Sequence, residues 1–242
     1  MKMLFVLGYR RSATTALADQ VHEHPSVHYF SGGIRLSGVA RLEFHLFDLI
    51  NRSPAQYAEL VRQHSGGPPS GDPTADAEAI FARCTHPVGL VKSTRLLMSA
   101  AAWGRFKAWA AATAHEVWLL GITRFPLDAL SSDNRNFATR AIPDDRVRRL
   151  DTAQEVWSEA YERLLDDTAF ATATKILRVE DIIERPVERI QGVASWLGIA
   201  PYSRFIPWQP VNRDRWRADP AFTGFTVKPA TREIARRLGY EL

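Results

Sequence analysis

Short apolar runs alternate along this chain with longer stretches in which apolar residues recur every three or four positions. Residues 3–8, carrying Met3-Leu4-Phe5-Val6-Leu7, read as a buried strand, and 13–23 as a helix that ends near His24-Pro25. Val27-His28-Tyr29-Phe30 is a second short strand, followed by a Ser31-Gly32-Gly33 turn. Val39, Leu42, Phe44, Leu46, Phe47, Leu49 and Ile50 predict a strongly apolar helix with Arg41, Glu43 and His45 interleaved. A helix over 54–63 is followed by a Gly/Pro/Ser-rich loop, 64–73, read as mobile, and by a short helix over 75–83.

Val88-Gly89-Leu90-Val91 is the third strand, and one helix is predicted across 96–112. Val117–Ile122 is a continuous apolar run typical of a central parallel strand, and Pro126 opens the next helix at its first position. Helical spacing over 146–166 places Val147, Leu150, Ala153, Trp157, Tyr161 and Leu164 on one side. Ile176-Leu177 lies in the last core strand, and a helix runs from Pro186 to a stop at Gly198. Residues 199–230 show no periodicity, and 231–238 form a closing helix capped by Gly239.

Strands alternating with helices imply an α/β fold in three layers, a central parallel sheet with helices on both faces. In such a fold, ligands bind outside the carboxyl ends of the strands. Three of those ends carry polar or cationic residues: Arg10-Arg11-Ser12, Lys92-Ser93-Thr94 and Thr123-Arg124. Any one of them is explained by a solvated strand end; three on one edge point to a site.

With 242 residues, 45% of them hydrophobic, the chain can bury one sizeable core, and 1–242 reads as a single domain. The expectation is a cytoplasmic protein without membrane span or signal peptide, and without a Cys-based metal site, since Cys84 has no second cysteine. The net charge is +4, and of 31 basic residues only five are Lys. A GC-rich genome, in which Ala and Arg are both plentiful, explains that bias better than an anionic ligand on composition alone. No basic–aromatic ribbon marks a nucleic-acid surface.

The chemistry centres on Gly8-Tyr9-Arg10-Arg11-Ser12-Ala13-Thr14-Thr15. A strand, a small-residue turn and a helix opening on hydroxyls make a P-loop-like phosphate cradle. First-turn amides point at the anion, and the helix dipole adds partial positive charge. Ser12, Thr14 and Thr15 offer hydroxyls, and Arg11 a permanent forked cation. The Gly-Lys-Ser/Thr ending of a Walker A loop is absent. Ala13 is expected at negative φ, because a β-carbon is costly in a left-handed turn.

This stretch resembles the 5′-phosphosulfate loop of sulfotransferases that use 3′-phosphoadenosine 5′-phosphosulfate (PAPS), where bacterial and Golgi members read Gly-x-Pro-Arg-Ser-Gly-Thr-Thr. Gly8, Arg11, Ser12, Thr14 and Thr15 match, with Arg10 for the proline and Ala13 for the glycine. Thr123-Arg124-Phe125-Pro126-Leu127-Asp128, with Ser132 eight residues after Arg124, is similar to the family's 3′-phosphate motif. Asp128 is read as stabilising the helix start. Arg178-Val179-Glu180-Asp181 resembles a Tyr-Glu-Asp segment, with Val179 in place of the tyrosine. Arg213, Arg215 and Trp216 resemble the C-terminal segment that folds over the nucleotide, whereas Trp208 is read as core.

The resemblance implies transfer of a sulfuryl group from PAPS to a hydroxyl or amine of a small-molecule acceptor. Arg11 would neutralise charge on the leaving 5′-phosphate and Lys92 would contact the sulfuryl oxygens. Thr14 and Thr15 would hold the 5′-phosphate, and Arg124 and Ser132 the 3′-phosphate. The Lys-Thr-His of cytosolic animal members is Lys92-Ser93-Thr94 here, so that histidine is missing. Glu43, near the family distance from Arg11, is the first choice of general base and His28 the second; His86 precedes its strand and belongs to the opposite edge. Two alternatives stay open: a P-loop-type kinase, and a non-catalytic nucleotide-binding relative.

Overall fold

The computed structural model describes residues 1–30, 46–48, 53–138, 150–208 and 214–242. The turn at 31–33, most of the helix expected at 39–50 (with Arg41, Glu43 and His45), the start of the 146–166 helix, and Arg213 lie outside the described residues.

Five strands form one parallel sheet: β1 (Lys2–Leu7), β2 (Val27–Phe30), β3 (Val88–Ser93), β4 (Glu116–Thr123) and β5 (Ala173–Arg178), in the order β2-β3-β1-β4-β5. The central strand lies in register with both neighbours, Leu7 opposite Ser93 of β3 and Gly121 of β4. Side chains alternate across a strand, so β1 feeds two separate cores. Met3, Phe5 and Leu7 join one cluster, Leu4 and Val6 the other; Val117 and Leu119 of β4 divide from Leu120 and Ile122 in the same way. That two-sided burial explains why these strands read as unbroken apolar runs.

Among the described residues the helices include α1 (Thr14–His22), α2 (Pro54–Ser65), α3 (Pro73–Phe81), α4 (Arg95–Met98), α5 (Ala100–Ala112), α6 (Pro126–Ala138), α7 (Leu150–Asp166), α8 (Val179–Glu184), α9 (Pro186–Leu197) and α10 (Pro229–Arg237). The larger core packs α2, α3, α5, α7 and α10 against one face of the sheet, with Phe5 in ring contact with Phe81, Phe106 and Trp109. The other face is covered by α1, α8 and α9.

Two local expectations change. The single helix read at 96–112 is divided at Ser99, which is extended (φ −122°, ψ 112°) and caps α5 by accepting the Ala102 amide at 3.2 Å. Serine at that point competes with the helical backbone and restarts it. The loop read at 64–73 is shorter, because α2 runs to Ser65 and α3 begins at Pro73, and hydrogen bonds tie its two ends. Arg83 Nη1 donates to the Ser65 carbonyl at 2.7 Å, and the Ser70 amide to Asp76 Oδ1 at 2.7 Å. The stop at Gly198 is as expected, with φ 65° and the Ile199 amide reaching back to the Ala194 carbonyl.

Candidate functional site

The chain leaves β1 toward β2 and leaves β4 toward β5, so a crevice opens between the carboxyl ends of two neighbouring strands. The three polar strand ends meet there, because β3, β1 and β4 are adjacent.

Gly8 lets the loop form. A β-carbon built on it would stand 2.4 Å from the Ile122 carbonyl oxygen of β4, so a larger residue would push the two strand ends apart. Tyr9 then turns inward, fully buried. Its amide donates to Tyr161 Oη at 3.2 Å, and its hydroxyl to Asp133 Oδ2 at 2.8 Å. Arg10 Nε lies 3.5 Å from Asp133 Oδ1, so a carboxylate buried on α6 holds Arg10 against the loop's inner side.

Arg11 (φ 66°) and Ala13 (φ 59°, ψ 24°) are both left-handed, which corrects the expectation for Ala13. The chain must reverse from β1 into α1 within a few residues, and Ala13 supplies the turn that a glycine would. The strain is about 1–2 kcal/mol for such a residue, partly offset by packing of the Ala13 methyl on the second core. Ser12, between them, is not left-handed. Alternation of hand is the backbone pattern from which anion nests are built, and here the Ser12 amide is already given to the Tyr9 carbonyl at 3.2 Å, so a nest would use the other amides of the loop. At the N-cap of α1 Ala13 makes no side-chain cap, and the helix start stands at the crevice, the position in which first-turn amides meet an anion.

The Ser12 hydroxyl, expected to donate to the anion, is fully buried and meets Tyr161 Oη at 3.2 Å. Thr14 is also buried, whereas Thr15 is exposed and accepts from Lys92 Nζ at 2.8 Å. Lys92 and Ser93 belong to β3 itself, two residues beyond the expected strand end. Register with Val6 and Leu7 delivers them beside the loop.

From the other side, Arg11 Nε donates to Ser132 Oγ at 3.2 Å. The loop after β1 and the helix after β4 therefore line one crevice. Burial pushes the Arg124 guanidinium below its usual range; Asp128 and Glu180 support its charge, while Arg11 and Arg215 add like charge nearby. Asp128 is buried against Arg124 and takes a hydrogen bond from the Asp214 amide, so it does more than stabilise a helix start. Glu180 clamps the turn into α6, accepting the Phe125 amide at 2.9 Å and the Tyr240 hydroxyl at 2.8 Å. Val179 is core.

Arg215 and Trp216 lie in a 3-10 helix, Arg215–Ala218, that hangs on α6. Arg135 Nη2 donates to the Arg215 carbonyl at 2.9 Å, and Ser131 Oγ to Asp219 Oδ2 at 2.7 Å. Trp216 packs on the larger core under the Arg217 guanidinium, 4.8 Å from its ring. Trp208 packs partly on the second core, as read.

His28 does not join this group. It pairs with Gly89 near the amino end of the sheet, 5.4 Å from the His86 ring. Lys92 lies three residues further along β3, about 10 Å at 3.3 Å per residue. Asp133 and Tyr161 are residues at the site that sequence reading did not single out; Tyr9 and Glu180 it placed in motifs without giving either a role. Tyr161 fell on the apolar side of its helix, where a buried tyrosine reads as core.

The fold and the crevice define a P-loop-like α/β protein in which the loop from Gly8 to Thr15 follows the central strand. No protein-family model matches the chain, and no curated protein matches it. Solved structures do. The chain is similar to the sulfotransferase domain of the Synechococcus PCC 7002 olefin synthase at 18% identity and TM-score 0.68, covering 100% of this chain and 96% of that one. It is similar to the sulfotransferase domain from the curacin biosynthetic pathway at 16% identity and TM-score 0.63, covering 99% and 98%. A sulfotransferase from Alicyclobacillus acidocaldarius follows at 15% identity and TM-score 0.57, covering 99% and 96%. At these identities the likeness is one of fold, over the whole length of each chain.

Proposed function

We propose that this protein is a sulfotransferase that moves a sulfuryl group from PAPS to a hydroxyl or amine of a small-molecule acceptor. The observation that carries the reading is the Arg11–Ser132 contact, which brings the loop after β1 and the helix after β4 into one crevice and so supports a single ligand with an anion at each end. The donor set fits the ligand: Arg11, Arg124 and Arg215 crowd like charge together, and a bis-anion relieves it. PAPS supplies an activated sulfuryl group on its 5′-phosphate.

Within this reading, the loop at 11–13, the first-turn amides, and Thr14 and Thr15 hold the 5′ end. Arg11 neutralises the negative charge that builds on that phosphate as its bond to sulfur breaks, and Lys92 contacts the sulfuryl oxygens. Arg11 acts through charge and hydrogen bonds, since a guanidinium does not give up its proton. Arg124, Ser132 and Arg215, with Arg213, hold the 3′-phosphate. Arg10 and Ser12 shape the loop from behind, and Trp216 supports the segment that carries Arg215. Glu43 is the proposed base, taking the acceptor's proton as its oxygen or nitrogen attacks sulfur in line.

Isothermal titration with 3′-phosphoadenosine 5′-phosphate and with ATP, both without metal, tests the donor. At least about tenfold preference for the former is expected, as a charge-assisted 3′-phosphate contact contributes on the order of 1.5–3 kcal/mol. Equal affinity, or binding of ATP only with Mg²⁺, would favour a kinase.

A further inference from the structure

We infer that Tyr161, on α7 and outside the cation clusters, is a positioning residue that sets the shape of the anion loop through its phenol oxygen. The inference rests on the reading that this loop takes the 5′ end of the nucleotide.

One oxygen gathers three partners from separate places. The Tyr9 amide lies 3.2 Å away, Ser12 Oγ 3.2 Å and the Ile122 carbonyl oxygen 2.8 Å. A phenol has one hydrogen, and the carbonyl can only accept, so the hydrogen goes to Ile122. The Tyr9 amide and the Ser12 hydroxyl must then both donate to the phenol oxygen. Ser12 thus spends its hydrogen inward, and the start of the loop is tied to the end of β4 from a third element.

All four residues are fully buried, so water offers no substitute partner. Burial also pushes the Tyr161 phenol above its ordinary range, so its hydrogen stays in place over any working pH. The loop needs such a tie. Two left-handed non-glycine residues, Arg11 and Ala13, persist only where the surroundings over-determine them. The backbone bond inside the turn, Ser12 amide to Tyr9 carbonyl, is long at 3.2 Å. A purely structural tyrosine would act through its ring, which packs 4.8 Å from Trp157. Phenylalanine keeps that ring and removes the hub.

The test uses Tyr161→Phe and two ligands that differ at one end. 3′-Phosphoadenosine 5′-phosphate engages both anion elements; adenosine 3′-phosphate lacks the group the loop would hold. Titrated well below the melting temperature, Tyr161→Phe should weaken the bisphosphate about tenfold, as expected for a displaced charge-assisted contact. The 3′-monophosphate should stay within about twofold. Ser12→Ala, which takes one partner from the hub, should shift the same way by about threefold and serves if Tyr161→Phe does not fold. Equal weakening of both ligands, or of neither, would overturn the inference and leave the donor reading standing. A wild-type protein that binds no bisphosphate would overturn the donor reading and this inference together.

Discussion

Ala13 shows how a single β-carbon reports on a site. Its left-handed conformation is strained, and glycine is the residue that removes the strain. Ala13→Gly should stabilise the fold by about 1 kcal/mol, raising Tm by about 3 °C in a thermal melt. A lower Tm would mean that the methyl packed on the second core outweighs the backbone cost. Arg11 and Arg124 separate by role. On the proposed function, Arg11→Ala should lower transfer at least about 100-fold with little change in Tm, because an exposed cation that meets developing charge would act on the transition state and not on the fold. Arg124→Ala should instead weaken 3′-phosphoadenosine 5′-phosphate by about 10- to 100-fold in titration. These residues were legible because a cation after an apolar run contradicts simple burial. Tyr161 and Asp133 were not: buried polar groups at helical spacing acquire meaning only from what they touch.

Elements explain why the loop sits where it does. β1 and β4 come so close at their carboxyl ends that Gly8 faces the Ile122 carbonyl with no room for a methyl group. Gly8→Ala should cost about 1–3 kcal/mol in urea unfolding, since the obstructing atom is backbone and must move with β4. It should also weaken anion binding, because the same carbonyl accepts the Tyr161 hydrogen. A variant with unchanged stability would show that the two strand ends part freely. At this scale the chain was largely readable: β2 and the ends of α9 appear where spacing, proline and glycine put them. The division at Ser99 was not readable, because the apolar spacing runs through it and only the cap geometry ends one helix and starts the next.

For the whole molecule, pH acts first through a histidine far from the crevice. Burial lowers the His28 pKa from 6.5, and the neighbouring His86 and His22 add to the shift. The folded state therefore binds the His28 proton less readily than the unfolded chain. Its contribution to stability is present above pH 6.5 and is lost as pH falls through the lower folded value. Asp166 and Asp167 are held below 3.8 by Arg237 and Lys107. Asp219 is also held below that value, against its burial, by Ser131, the Ala221 amide and Arg135. Those contributions persist above 3.8 and fade as pH drops through the folded values. Calorimetry from pH 8 to 3 should show Tm declining in two stages, and His28→Gln should flatten the upper one alone. An unchanged upper stage would assign it to another group.

The order of apolar runs and helical spacings was sufficient to determine an α/β fold with a parallel sheet, since each pattern answers to how one segment buries its own side chains. The cations at the ends of β1, β3 and β4 were visible for the same local reason. Which strands lie side by side was decided by the tertiary structure, and with it the meeting of Lys92 with Thr15 and of Arg11 with Ser132. Those contacts join positions far apart in the chain, and they arise from the packing of whole layers rather than from any property of a segment taken by itself.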